Sequence, residues 1–367
     1  MSAVAERFDV AVIGAGIAGA SIAAELIPHV RVLLFEAEDA PGYHTTGRSA
    51  AFWEEAYGGP GVYPLTIASG RYLREGGYLA PRGALNIGRE ADRGKVEAFV
   101  ARFAALGARV EMIGRDRLLE RVPGLRADWT CASWEPDCAD IDVAALHQHY
   151  LAEAKRGGTV LQLRARVDAI VREGTGWRIG WPGGEVVADV VVNAAGAWAD
   201  HVAGLAGAAP IGIQPLRRTV VQLRTAPPPP PDLPLTLGIN EDFYFKPQGG
   251  RLWLSPHDEV PDTARDAAPE ELDIAVAIDR FEAVVDWKIA AAERKWAGLR
   301  SFAPDRLPVY GFDPARAGFF WFAGQGGFGI QTAPAAARLS AQLLLGQPAD
   351  AMTAQIDPAP YAPDRFN

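Results

Sequence analysis

The chain has 367 residues, of which 49% are hydrophobic and 22% are charged. This balance is typical of a globular protein and excludes a disordered or fibrous one. The formal charge of −9 at pH 7 does not favour binding to nucleic acid, which we exclude as a partner. Cys131 and Cys138 have no histidine at metal-ligand spacing, so we predict reduced thiols and no metal site.

The N-terminal sequence lacks the apolar core of an export signal, which predicts a cytoplasmic protein. The longest uncharged apolar stretch, Val10 to Ala24, is shorter than the roughly 20 residues that span a bilayer. We therefore predict no transmembrane segment and leave peripheral contact with a membrane open.

The first 36 residues predict a strand, a helix and a second strand. Phe8 to Ile13 is apolar on both faces, as in a buried parallel strand. Ile17 to Leu26 has the composition of a helix, and Arg31 to Glu36 has that of a strand. Together they form a compact βαβ unit.

The turn inside this unit matches the dinucleotide fingerprint G-x-G-x-x-G, with the sequence Gly14-Ala15-Gly16-Ile17-Ala18-Gly19. Gly14 permits the tight turn, Gly16 lets a pyrophosphate approach, and Gly19 lets the helix pack closely on the strand. Glu36, at the end of the second strand, is placed to accept hydrogen bonds from ribose hydroxyls. The motif predicts a bound dinucleotide but does not distinguish FAD from NAD.

The stretch from Gly42 to Ala51, rich in small residues, favours FAD because it can run beside a pyrophosphate and a flat ring. Farther along, Gly94–Leu106, Ile141–Lys155 and Pro269–Ala292 are helical in pattern. Strands are predicted at Val160–Val171, Trp177–Trp181, Val186–Asn193, Pro210–Arg224, Phe243–Leu254 and Phe319–Ala323. A last helix is predicted from Pro334 to Leu345, with Thr332 as its N-cap and Gly346 as its C-terminal cap.

Five segments in order resemble the D-amino-acid oxidase/dehydrogenase (DAO) family of FAD enzymes, most closely its D-arginine dehydrogenase-like members. They are the fingerprint, Gly42–Ala51, Val192–Trp198, Trp296–Phe302 and Gly324–Thr332. The resemblance implies a mixed α/β fold with a Rossmann-like FAD-binding domain and a discontinuous substrate domain built on a mixed or antiparallel sheet. We expect the first domain at 1–80, 143–210 and 296–367, and the second at 81–142 and 211–295.

The resemblance also implies which residues contact a noncovalently bound FAD. Besides the fingerprint, they are Glu36, Ala37, Thr45, Thr46, Gly47, Arg48, Ser49, Ala50, Ala51, Phe52, Val167, Ala195, Gly196, Trp198, Gly326, Gly327, Phe328, Gly329, Ile330, Gln331 and Thr332. The helix beyond Thr332 is expected to point at the flavin ring, where its positive end stabilises the anionic reduced flavin.

By the same resemblance, Arg218, Arg300, Tyr57 and Tyr244 grip the carboxylate of the substrate. Arginine suits this task because its planar fork binds both carboxylate oxygens. Arg217 and Arg218 point to opposite faces of a strand, and we expect Arg218 to face the substrate and Arg217 the surface.

The substrate's side-chain pocket departs from the D-arginine enzymes. Phe52 stands where they carry a histidine, and Ala84 where they carry the glutamate that meets the guanidinium. Glu54 is an additional carboxylate, although a solvated helix face is the favoured interpretation of Glu54 and Glu55. A pocket without polar partners favours neutral side chains, because burying a guanidinium requires its desolvation.

These expectations predict an FAD-dependent oxidative deamination of D-amino acids, with hydride transfer from Cα to the flavin. The electron acceptor is left open between oxygen and a quinone-type molecule. Alternatives are a sarcosine-like secondary-amine or 2-hydroxy-acid oxidoreductase in the same fold, and a catalytically idle flavin-binding protein.

Overall fold

A computed structural model describes residues 6–366. Its strands are β1 (Glu6–Ile13), β2 (Val32–Phe35), β3 (Phe52–Trp53), β4 (Leu79–Pro81), β5 (Ala84–Arg89), β6 (Glu111–Gly114), β7 (Trp129–Glu135), β8 (Ala139–Ile141), β9 (Val160–Gln162), β10 (Ala169–Glu173), β11 (Gly176–Trp181), β12 (Gly184–Asn193), β13 (Gln214–Ala226), β14 (Leu235–Gly238), β15 (Tyr244–Gln248), β16 (Arg251–Ser255), β17 (Val260–Pro261), β18 (Lys288–Phe302), β19 (Val309–Phe312), β20 (Phe319–Ala323) and β21 (Gln325–Gly326). Its α-helices are α1 (Ile17–Leu26), α2 (Tyr63–Glu75), α3 (Arg93–Ala105), α4 (Arg115–Arg121), α5 (Val143–Arg156), α6 (Ala199–Leu205), α7 (Glu271–Glu282) and α8 (Gly329–Leu345). No helix within 6–366 has the length and apolar character needed to cross a membrane.

The first sheet has the order β10-β11-β12-β1-β2-β9, and β20 extends it from β12. Strand β1 pairs in parallel with β2 and with β12, and α1 connects β1 to β2, so the predicted βαβ unit is confirmed. Apolar residues of α1 and α8 pack on one face of this sheet, and those of α6 pack on the other. Burial on both faces is the reason why these strands read as continuous apolar runs.

The second sheet has the order β21-β18-β13-β16-β15-β14-β5-β7-β6. It is mostly antiparallel, but β14 pairs in parallel with β5, which confirms the mixed character expected from the resemblance. One face packs on α7 and α4. A small third sheet joins β8 to β3 and β4. The domain boundaries stay a prediction, and the predicted ends at residues 1–5 and 367 lie outside the described range.

Three sequence predictions of secondary structure are wrong. The segment 269–292 is helical only in α7, because its C-terminal part enters β18 and pairs with β13. The segment 243–254 is a hairpin of β15 and β16 rather than one strand, since Gly249 and Gly250 turn the chain with positive φ angles of 57° and 72°. The segment 160–171 is divided into β9 and β10, and Arg164 between them has a φ of 53°.

The last helix, α8, begins one turn earlier than its sequence indicates. Thr332 is not the N-cap, because α8 begins at Gly329 and the Thr332 hydroxyl donates to the Phe328 carbonyl oxygen at 2.9 Å. Pro334 is tolerated inside the helix. The C-terminal cap is confirmed, since Gly346 adopts a left-handed conformation with φ 64°.

The first sheet offers a matched test of core packing. Leu34 on β2 is 1% exposed, and its neighbour in the register, Leu161 on β9, is 39% exposed. We expect Leu34→Ala to lower the free energy of unfolding by about 2–5 kcal/mol because it leaves a cavity. Leu161→Ala should cost much less, and equal losses in urea unfolding would contradict this packing.

Candidate active site

A long cavity of about 1650 Å³, including its open mouth, lies between the two large sheets. The carboxyl ends of β1 and β2 and the segment 42–50 line one end. Strands β13, β15 and β18 contribute its inner wall, and the segment 325–330 lies opposite. Ligands of open parallel sheets bind at the carboxyl ends of the strands, so this cavity is the expected site of the dinucleotide.

The glycines of the fingerprint are required by close contacts. Gly14 has a φ of 101°, and a side chain there would lie 2.7 Å from the Ala194 carbonyl oxygen. A Cβ on Gly19 would lie 1.7 Å from the Gly14 carbonyl oxygen. This contact brings α1 against the end of β1, and its first turn opens onto the cavity. Such a helix end binds phosphates through free N–H groups and its dipole.

The Glu36 carboxylate is held at the end of β2 by two backbone amides. Its Oε2 accepts from Ala15 N at 3.1 Å, and its Oε1 accepts from Glu38 N at 3.0 Å. Glu36 is 8% exposed and lines the cavity together with Val167. The side chain is therefore fixed where the fingerprint predicts contact with a ribose.

The segment 42–50 is tied both to α1 and to the second sheet. Thr46 Oγ1 accepts from Ile17 N at 3.0 Å, which caps the start of α1. Arg48 donates to the carbonyl oxygens of Ala267 and Ala297 at 2.8 and 3.1 Å. His147 supports the fingerprint turn from α5, with Nε2 at 2.9 Å from the Ala15 carbonyl oxygen. Sequence reasoning missed that contact, because α5 approaches the turn only in the folded chain.

Most of the residues predicted to contact the cofactor lie along the cavity. They are Gly14, Gly16, Ile17, Ala18, Glu36, Ala37, Thr45, Thr46, Arg48, Ser49, Ala50, Val167, Ala195, Gly196, Trp198, Gly326, Gly327, Gly329 and Ile330. Others stand behind this lining: Ala15, Gly19, Gly47, Ala51, Phe52, Phe328, Gln331 and Thr332. The glycine approaches, the Glu36 carboxylate and the long cleft together fit an FAD molecule.

The inner end of the cavity carries two arginines. Arg218 and Arg300 both line it, on the neighbouring strands β13 and β18. Arg300 Nη1 donates to the Tyr57 hydroxyl at 2.7 Å, and Tyr244 lines the same end. Tyr57 itself stands behind the lining. The structure thus brings together the four residues predicted to grip a carboxylate.

Arg218 forms ion pairs with Asp258 and Glu259, at 3.9 and 3.3 Å, but one of its nitrogens has no partner among residues 6–366. Its Nε donates to the Asp258 carbonyl oxygen at 2.7 Å, and its Nη2 donates to Glu259 at 3.3 Å. Its Nη1 is buried and has no hydrogen-bond partner among residues 6–366. Burial, together with the nearby Arg300 guanidinium, lowers the pKa of Arg218 to about 10. An anion at this end of the cavity would relieve both effects.

Two predictions about neighbouring side chains are wrong. Arg217 does point to the opposite face from Arg218, but it is 3% exposed and pairs with Asp273 at 2.9 Å and with Glu270. Helix α7 covers that face, so a surface position does not exist there. Glu54 is 2% exposed and lies in a turn rather than on a solvated helix face. The short β3–β8 pairing draws this turn into the interior.

Phe52 and Ala84 pack in one buried apolar cluster with Tyr244, Leu235 and Cys138. Neither Phe52 nor Ala84 lines the cavity, and Glu54 does not line it either. Sequence reasoning missed Val220 and Leu299, which do line it. Val220 could have been found, because it follows Arg218 by two residues on a strand and therefore shares its face.

Comparison with known proteins agrees with a cavity that fits FAD. The family described as FAD dependent oxidoreductase (DAO) matches residues 9–343. Glycine oxidase from Geobacillus kaustophilus is 26% identical over 356 residues, covering 92% of this chain and 93% of that protein. Its crystal structure superposes with a TM-score of 0.84 at 24% identity, over 97% of this chain and 98% of that one.

Two other solved structures share the fold. L-proline dehydrogenase from P. horikoshii has a TM-score of 0.84 at 22% identity, over 99% of this chain and 98% of that one. Reduced L-α-glycerophosphate oxidase from Mycoplasma pneumoniae, with FAD bound, has a TM-score of 0.85 at 16% identity, over 93% of this chain and 95% of that one.

Gly19 lies so close to the Gly14 carbonyl oxygen that a single methyl group added at Gly19 should disturb the turn. We expect Gly19→Ala to displace α1 from the turn and to strongly reduce the flavin content of the purified protein. Gly204→Ala is the matched control, since a Cβ there meets nothing within 4 Å. The ratio of flavin absorbance to protein absorbance measures the effect, and a full flavin content in Gly19→Ala would contradict it.

Proposed function

This chain belongs to the DAO family of FAD-dependent oxidoreductases, and we propose that it oxidises the Cα–N bond of D-amino acids. FAD is its cofactor. When bound, its isoalloxazine ring supplies the oxidant that takes a hydride from the substrate α-carbon. The imino acid then hydrolyses in water to a 2-oxo acid and ammonia, and oxygen or a quinone-type acceptor regenerates the oxidised cofactor. Noncovalent attachment of FAD is part of this proposal.

The observation that carries the proposal is the pair of guanidiniums at the inner end of the cavity. Arg300 donates to the Tyr57 hydroxyl and takes part in none of the ion pairs found within residues 6–366. Arg218 retains an unpaired buried Nη1. Buried charges in proteins are normally paired. Arg218 already pairs with Asp258 and Glu259, so the Arg300 guanidinium and the Nη1 of Arg218 are the groups that favour an anionic ligand. A substrate α-carboxylate meets this need and is held in one orientation.

The residues of the chain then act mainly by positioning. Two arginines on adjacent strands fix the carboxylate, which determines the α-hydrogen that faces the cofactor. The first turn of α8 lies at the cavity through Gly329 and Ile330, so its positive end would stabilise negative charge on a cofactor held there. No side chain is needed as a base when a neutral amine gives up its α-hydrogen as hydride, and orientation supplies the acceleration.

A second candidate is the oxidation of glycine or a secondary amino acid. It is supported by the names of two similar proteins, glycine oxidase and L-proline dehydrogenase. The same carboxylate grip would bind these substrates. The two candidates differ in the space that the substrate needs around its α-carbon and its amine. Likeness to D-arginine dehydrogenases in particular remains a prediction.

Anaerobic mixing with candidate substrates tests both. We expect D-leucine, D-methionine and D-phenylalanine to bleach the bound flavin faster than D-arginine, because Val220, which lines the cavity on the same face of β13 as Arg218, is apolar. L-Leucine should leave the flavin oxidised. Faster bleaching by glycine, sarcosine or L-proline would favour the second candidate. Absence of bleaching by every amino acid would favour an idle flavin-binding protein.

The carboxylate grip makes a separate prediction. Arg300→Met should weaken substrate binding by about 2–5 kcal/mol, since a charge-assisted contact in a closed site is lost. The loss should appear mainly in KM, with FAD retained. Arg294→Met, on an exposed position of the same strand, is the matched control. An unchanged KM in Arg300→Met, or equal turnover of D-leucine and its amide, would rule this grip out.

A further inference from the structure

Two glutamates are buried together behind the carboxylate grip. Glu54 is 2% exposed and Glu135 is 3% exposed, and their side chains are hydrogen-bonded to each other. Glu54 Oε2 and Glu135 Oε1 have no donor among residues 6–366. Glu36, which is also buried, is held by two backbone amides, and the half-buried Asp140 pairs with Lys246 at 2.6 Å. In the described part of the chain, no ion pair joins a cation to either of these glutamates.

Two carboxylates can remain in contact in an apolar interior only if they do not both ionise. Burial raises the pKa of Glu54 to about 7, against the opposing effect of its hydrogen bonds to Glu135 and Asn86. Burial and the Glu54 charge raise the pKa of Glu135 well above its usual range. A proton between Oε2 of Glu54 and Oε1 of Glu135 would account for both oxygens that lack a donor.

The pair is attached to the turn that presents Tyr57. Ala56 N donates to Glu135 Oε2 at 3.4 Å, and Tyr57 N donates to the Glu54 carbonyl oxygen at 3.2 Å. On the other side, Gln331 accepts from Glu54 N and donates to the Tyr57 carbonyl oxygen, both at 3.2 Å. The turn is therefore clasped between β7 and α8, and the Tyr57 hydroxyl reaches Arg300 from it.

We propose that Glu54 and Glu135 share one proton and act as positioning residues, holding Tyr57 against Arg300 for the carboxylate grip. The kinetic consequence of this inference rests on the proposed function, whereas the shared proton does not. When the shared proton is lost, repulsion between two buried carboxylates separates β7 from the turn and withdraws Tyr57. The groups around the pair favour the protonated state: Glu55 and Glu241 add negative charge, and the Cys138 thiol faces both acids. Of the neighbouring cations, Lys246 is engaged by Asp140, and Arg300 lies beyond Tyr57.

Thermal unfolding of the flavin-loaded protein tests the shared proton without any substrate. Both glutamates have folded-state pKa values above their unfolded ones, and Glu54, at about 7, ionises before Glu135. The stabilisation is therefore complete below the unfolded pKa, falls as pH rises through about 7, and falls further until the shared proton is lost at higher pH. We expect Tm of the wild type to fall between about pH 5 and pH 8. Glu54→Gln and Glu135→Gln should each show a smaller fall, and Glu55→Gln, which removes a nearby charge but no member of the pair, should keep the full fall, displaced slightly to lower pH. Identical curves for all four proteins would overturn the proposal.

Kinetics with D-leucine test the positioning role. At each pH, the kcat/KM of the wild type is divided by that of Glu54→Gln. The titration of the substrate amine affects both proteins equally and therefore cancels in this ratio. This ratio of kcat/KM should fall above about pH 7, approaching a loss of about tenfold per pH unit, with most of the change in KM. Glu55→Gln should keep the shape of the wild-type profile, displaced slightly to lower pH, and Glu135→Gln serves if Glu54→Gln does not fold.

Two other outcomes reject the positioning role. If the ratio of kcat/KM does not change with pH while the Tm curves of the variants differ from that of the wild type, the pair has a purely structural role. A defect of Glu54→Gln confined to D-arginine and D-lysine would mean that Glu54 contacts the substrate directly. If no amino acid is turned over, the proposed function fails, and the Tm curves still decide whether the proton is shared.

Discussion

Charged side chains are buried at several places around the second sheet, and the low polarity of the interior requires that each be neutralised. On the face covered by α7, Arg217 pairs with Asp273. On the opposite face, Asp140 takes Lys246 as its partner. Among residues 6–366, Arg300 has no acidic partner, Arg218 pairs with Asp258 and Glu259 but keeps one nitrogen without a partner, and Glu54 and Glu135 meet without a cation. A bound substrate carboxylate would pair with the two arginines, and a shared proton would remove one negative charge from the two glutamates.

The pairing of two strands in the second sheet brings Arg218 and Arg300 together. Pairing of β13 with β18 places Arg218 opposite Gly298 and Leu216 opposite Arg300, so the two guanidiniums lie on one face and close together. Gly327 packs against this group, because a Cβ there would lie 2.3 Å from the Tyr57 hydroxyl and 3.0 Å from Arg300 Nη1. The segment expected beside the flavin therefore also shapes the carboxylate grip.

The dinucleotide end of the cavity is organised from local sequence, whereas the inner end is assembled from distant segments. The fingerprint, α1 and Glu36 follow one another within a single βαβ unit. At the inner end, Tyr57, Arg218, Tyr244 and Arg300 come from separate turns and strands. Their grouping was predicted from a family resemblance, since no spacing rule in the sequence brings them together.

The sequence by itself determined the βαβ unit, the dinucleotide turn, helix α1 and the left-handed cap at Gly346, because each depends on contacts between residues near in the chain. The tertiary structure alone decided the strand at 288–302, where pairing with β13 overrides an alanine-rich pattern. It also decided the burial of Arg217 and Glu54, because α7 covers one and the β3–β8 pairing encloses the other. Burial depends on which elements pack on a residue, and a residue's own neighbours in sequence carry no information about that.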